Sequence, residues 1–128
     1  MSSKEDARPF GTHYVPPAKR ARREGNRVYG GKVGELPLGK GKQLILDNFN
    51  VALFNVDGVY YAVKDACPHA GYPLGKSVLK GEVVVCSSHN WQFNVKTGQC
   101  VRGEHEEEPD IRTYVVEIIG DEIWVKLS

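Results

Sequence analysis

Short runs rich in Val, Ile and Tyr, separated by dipeptides that reverse a chain, constrain this sequence more than any other feature. NVALFNV (50–56) and VYYAV (59–63) are joined by Asp57-Gly58, a pair that readily takes up the positive φ values of a two-residue hairpin. YVVEII (114–119) and EIWVKL (122–127) flank Gly120-Asp121 in the same way, and QLILD (43–47), EVVVC (82–86) and WQFNV (91–95) add further runs of strand length. Fourteen glycines and seven prolines punctuate the chain, and no segment carries an amphipathic stripe of three helical turns. The expected fold is all-β, built as an antiparallel meander.

At 128 residues there is room for one ordinary core. The domain is expected over 30–128, preceded by a flexible basic arm at 1–29. Residues 1–27 hold seven Lys or Arg against three acids, which leaves the rest of the chain at −3 within a formal total of +1. The KRARR cluster (19–23) lacks interleaved stacking aromatics, so nucleic acid is not an expected partner. The acidic stretch Glu104–Asp110, with five carboxylates and His105, reads as a solvated loop or as a docking patch for a basic partner. No run approaches the length of a membrane span, and MSSKEDARPF lacks the apolar core of a secretory signal, so a cytoplasmic protein is expected.

The chemistry-bearing residues lie in two stretches, CPHAGYPLG (67–75) and CSSHNWQF (86–93). Each holds one cysteine and one histidine: Cys67 with His69, and Cys86 with His89. Thiolate and imidazole are metal ligands, and a Cys₂His₂ set could hold one zinc ion in an interaction module. Structural zinc sites, however, commonly pair Cys with Cys and His with His in each block. Mixed blocks suit two adjacent metal ions, each loop giving a thiolate to one and an imidazole to the other. The third cysteine, Cys100, has no partner nearby in sequence and reads as an ordinary thiol; His13 and His105 read as surface residues.

Cys67-Pro68-His69-Ala70-Gly71-Tyr72-Pro73-Leu74, sixteen residues between His69 and Cys86, Cys86-Ser87-Ser88-His89-Asn90-Trp91-Gln92-Phe93 and the following Thr97-Gly98 resemble the Rieske iron–sulfur proteins. The resemblance implies an antiparallel β-sandwich with a cluster-binding subdomain (about 65–95) formed by two loops, and one [2Fe-2S] cluster per chain. Carried over residue by residue, Cys67 and Cys86 would bind the inner iron, and His69 and His89 the outer iron, near the surface. Gly71 and Gly75 would let backbone amides approach the sulfides, while Leu74 and Trp91 would shield the cluster from water. Rieske centres span roughly −150 to +300 mV, against about −400 mV for plant-type ferredoxins. The high-potential branch has two further cysteines and two hydroxyl residues, where this chain has Tyr72, Ser88, Trp91 and Phe93. Fewer donors to sulfur disfavour the reduced state, which implies a low potential.

The chain is too short for the second, catalytic domain of an oxygenase subunit, and only His13 and His105 remain after the cluster ligands. The resemblance therefore implies an electron carrier and not an enzyme. It is closest to a soluble low-potential Rieske-type ferredoxin, monomeric when free, serving a flavoprotein reductase and a terminal oxygenase. The alternative is the small subunit of a soluble NAD(P)H nitrite reductase.

Overall fold

The computed structural model describes residues 20–47, 49–66, 73–86, 90–102 and 110–128. Eleven strands run through them: β1 (Arg23–Glu24), β2 (Arg27–Lys32), β3 (Gly41–Ile45), β4 (Asn50–Val56), β5 (Val59–Lys64), β6 (Val78–Lys80), β7 (Val83–Val85), β8 (Gln92–Asn94), β9 (Cys100–Arg102), β10 (Thr113–Ile119) and β11 (Glu122–Lys126). There is no helix among the described residues. Every pairing is antiparallel, in a seven-stranded sheet of order β1-β2-β11-β10-β5-β4-β3 and a four-stranded sheet of order β6-β7-β8-β9. The all-β reading from sequence holds.

The hairpins form where the dipeptides place them. Val56 pairs with Val59, and the two residues between them, Asp57 and Gly58, have φ of 53° and 92°, as a type I′ turn requires. Asn55 ties this turn to the rest of the sheet. Its buried side chain accepts from the Gly58 N–H at 2.8 Å and donates to the Leu36 carbonyl at 2.7 Å.

Strand β4 explains why its sequence is apolar almost throughout. Alternate residues point to opposite faces of a strand, and both faces of β4 are covered. Val51 and Leu53 enter one core with Val28, Leu44, Ile123 and Val125, on the inside of the curled large sheet. Ala52, Phe54 and Val56 enter a second core with Leu74, Val84, Cys86, Trp91 and Phe93, beneath the small sheet. Strand β10 pairs with β5 only at Thr113 and Tyr114, then continues against β11 alone, so the large sheet opens there and Val115 is exposed.

The sheet begins earlier than the boundary at Gly30 expected from composition. Strand β1 pairs Arg23 with Val28 and Glu24 with Arg27, and Val28 is fully buried. The Arg22 guanidinium lies 4.7 Å from the Tyr29 ring centre and 5.1 Å from that of Trp124, a cation–π arrangement. At least this arginine of the basic cluster is part of the packing of the domain. The earlier part of the expected arm, including His13, lies outside the described residues.

Candidate metal centre

The first candidate loop leaves β5 after Lys64 and returns at Pro73, and its two ends are bound together by one side chain. Asp65 is only 5% exposed. Its Oδ1 accepts from the backbone N–H groups of Leu74 and Gly75, both at 2.6 Å, and its Oδ2 accepts from Gln43 Nε2 at 2.6 Å. The Asp65 N–H donates in turn to the Asn50 carbonyl at 2.9 Å. Hydrogen bonds to a charged acceptor are among the stronger ones, and a buried carboxylate needs such partners. The loop is thus closed by a carboxylate clamp that reaches across the six residues 67–72.

Gly75 is required by this closure. Its N–H is engaged by Asp65. A Cβ there would come 2.9 Å from the Lys42 carbonyl oxygen and 2.9 Å from Gln43 Cγ, because the returning chain lies directly against β3. Ser77 completes the exit: its N–H donates to the Leu74 carbonyl and its hydroxyl to the Pro73 carbonyl, each at 3.0 Å.

The second candidate loop joins β7 to β8. Beyond the Val85–Gln92 pair the ladder gains one more bond, from the Cys86 N–H to the Trp91 carbonyl at 2.7 Å. Cys86 therefore stands where the hairpin ends and the loop begins. Its side chain is fully buried, in the core that contains Leu74, Val84, Trp91 and Phe93. The chain re-enters through Asn90, whose φ of 59° is a left-handed conformation that asparagine tolerates well.

The two loop bases converge. Leu74, just after the first loop, and Cys86, at the start of the second, share one apolar core. Pro73 and Asn90, the first described residues after each loop, line a single cavity of about 450 Å³ together with Lys76, Ser77, Val78 and Val85. Of the four expected ligands, Cys86 is within the described residues; Cys67, His69 and His89 lie outside them, as do Gly71, Tyr72, Ser88 and His105. Cys100 is half-buried against the same core and is paired with Phe93.

Two carboxylates near this half of the molecule have settled roles. Asp65 is turned inward on its three donors. Glu82 is exposed but accepts from Asn94 Nδ2 at 2.6 Å and lies 3.3 Å from Lys96 Nζ. The Asn94 hydrogen bond, then the hydrogen bond and charge of Lys96, hold its carboxyl below the ordinary range.

Sequence reasoning missed Asp65 and Gln43. For Asp65 a signal exists: Asp at the junction of a strand and a loop is where a short carboxylate often bonds backbone N–H groups. Gln43 gives none, because its partner is 22 residues away.

The residues present fit an iron–sulfur group. A buried thiol at the end of a hairpin, backed by apolar side chains and sharing a core with Leu74 at the foot of the first loop, suits a thiolate ligand in a site that excludes water. A family model described as Rieske [2Fe-2S] domain matches residues 26–117. The chain is 38% identical over 97 residues to the biphenyl dioxygenase ferredoxin subunit of Pseudomonas sp. (strain KKS102), a match covering 75% of this chain and 87% of that protein. The ferredoxin of carbazole 1,9a-dioxygenase from Nocardioides aromaticivorans IC177 shares the fold with a TM-score of 0.73 at 24% identity, over 81% of this chain and 100% of that one. A chain from the complex of reduced oxygenase and oxidized ferredoxin in carbazole 1,9a-dioxygenase superposes with a TM-score of 0.76 at 22% identity, over 80% and 94% of the two chains.

Proposed function

This chain belongs to the Rieske [2Fe-2S] domain family, and on that premise we propose that it is a free Rieske-type ferredoxin, carrying single electrons from a flavoprotein reductase to a terminal oxygenase in the cytoplasm. The observation that carries the reading is that the described residues at the ends of the two candidate loops line one cavity, in a chain that covers 87% of a dioxygenase ferredoxin subunit. In this proposal Cys67 and Cys86 supply the thiolates for the inner iron, and His69 and His89 the imidazoles for the outer iron. When bound, the cluster supplies reversible one-electron chemistry.

The protein's own residues hold that group and keep water from it. Asp65 fixes the exit of the first loop relative to its entry, and the Cys86–Trp91 bond does the same for the second. Loop ends held this way preorganise the site for the group it would take. Leu74, Val84 and Phe93 form a fully buried apolar floor. Trp91 and Phe93 are packed into that floor with ring centres 6.5 Å apart; neither offers a hydroxyl to a sulfur, which supports a potential at the low end of the Rieske range.

The test is to express the chain with iron and record visible spectra and reduced-state EPR. The expected result is a rhombic signal of low average g after dithionite, lost in His69→Cys and His89→Cys. A colourless protein with stoichiometric zinc would reject the proposal. The carrier is expected to run as a monomer; stable copurification with a far larger sirohaem enzyme would favour the nitrite reductase subunit instead. Among the described residues no helix is long and apolar enough to cross a membrane.

A further inference from the structure

Beside the candidate centre lies a basic surface that the residues above do not use. The cavity between Pro73 and Asn90 shares Lys76, Ser77 and Val78 with a second one of about 250 Å³, which continues between the Gly39–Gly41 turn and the start of β6. Lys40 and Lys76 line this second groove. On β6 the side chains alternate: Leu79 packs against the core, while Val78 and Lys80 face outward. Val78 is 62% exposed, a large apolar side chain with lysines around it.

Among the described residues neither cavity is lined by a carboxylate. Lys40, Lys76 and Lys80 form no ion pair among the described residues, whereas Lys32, Lys96 and Lys126 do. Around Lys76 and Lys80 the carboxylates nearest in the chain are committed elsewhere, Asp65 to its three donors and Glu82 to Asn94 and Lys96; Glu35, the nearest to Lys40, accepts from the Lys32 N–H at 2.8 Å. The result is a local positive field in a part of the chain that is otherwise net negative. An apolar spot with a charged rim is the usual anatomy of a recognition surface, and redox encounters use small ones.

We infer that this ridge, Val78 framed by Lys40, Lys76 and Lys80, docks the redox partner protein through an acidic surface whose carboxylates surround an apolar contact. The inference rests on the carrier reading and deepens it. Opposite charge steers the encounter and sets its orientation, while Val78 meets the partner's apolar contact beside the first candidate loop.

The experiment uses the cluster-loaded full chain, reduced with dithionite and then mixed in a stopped-flow instrument with hexacyanoferrate(III), a trianion that takes one electron to become hexacyanoferrate(II). At low ionic strength the triple variant Lys40→Glu, Lys76→Glu, Lys80→Glu is expected to lower that rate by about tenfold or more, and to raise the rate with the trication hexaammineruthenium(III). High salt should abolish both differences. Poly-L-glutamate, a polymer of carboxylates, should slow the wild-type reaction with hexacyanoferrate(III) and leave the variant unaffected. The triple variant Arg23→Glu, Lys32→Glu, Lys126→Glu, on β1, β2 and β11, makes the same change in net charge away from the ridge and serves as the control. Equal rates in wild type and in the Lys40, Lys76, Lys80 variant, or an equal effect from the control variant, would overturn the docking surface and leave the carrier reading standing. A loaded chain that shows no reducible centre would overturn both.

Discussion

Replacing Asp65 by alanine removes the acceptor of three hydrogen bonds at once, two from backbone N–H groups and one from Gln43. Leu74 and Gly75 are buried, so water does not readily substitute for the lost carboxylate. Each buried donor left without a partner costs about 1–3 kcal/mol, so the two amides alone amount to about 2–6 kcal/mol. A domain of this size has about 5–15 kcal/mol in all. Asp65→Asn is the informative comparison. Its Oδ1 can still accept both N–H groups, and Gln43 can rotate its amide to present oxygen to the new NH₂. What it loses is charge assistance, worth about 1 kcal/mol per bond. Urea denaturation of the metal-free protein should therefore rank wild type above Asn and Asn above Ala, with midpoints falling at unchanged m. Cluster content per chain, read from visible absorbance after anaerobic loading, should fall in the same order. If Asp65→Ala unfolded at the wild-type midpoint and loaded fully, the clamp would have no part in holding the loop.

Three further outcomes follow from particular contacts. Asn55→Ala leaves the Gly58 N–H and the Leu36 carbonyl without their partners and should cost about 1–3 kcal/mol by urea midpoint, with the cluster spectrum unchanged; an altered spectrum would mean that the far hairpin reaches the centre. Because the Glu82 carboxyl is held below its ordinary value, its contribution is present above the ordinary carboxylate range, about 4.3, and is lost as pH falls through the folded value. Midpoints of wild type and Glu82→Gln measured from pH 6 to pH 3 should accordingly converge at the acid end, and parallel curves would contradict this. Burial raises the Tyr114 phenol despite the opposing charge of Arg112, so the stability linked to its neutral form is complete below about pH 10 and is lost as pH rises through the folded value. Tyr114→Phe should flatten the alkaline limb of the stability profile; an identical limb in both proteins would show that other groups cause it.

Relatively little of the strand pattern depended on the folded structure. Asp57-Gly58 needs only its own backbone preference to turn the chain, and its φ values in the structure are those the dipeptide favours. The runs at 43–47, 50–56, 59–63, 114–119 and 122–127 each became a strand, with ends shifted by at most two residues and those of 50–56 unshifted. β6 and β9 escaped notice because VLK and CVR each end in a charged residue and lie in no longer apolar run, unlike the equally short β7 and β8, so that pairing with a neighbour defines them. β1 and β2 were hidden by charge: RVYGGK looks like part of a basic arm until Val28 is seen in the core and Arg22 over two aromatic rings.

The sequence by itself determined the all-β class, the hairpin positions and the family, because turn residues and ligand spacing act over a few neighbours and survive in the linear order. Only the tertiary structure decided that β4 divides two cores, that Asp65 and Gln43 lock the first loop, and that Lys40 lies beside Lys76. Those facts depend on groups far apart in the chain meeting at hydrogen-bond or van der Waals distance, and such meetings are set by how the sheets curl and pair, which no local pattern encodes.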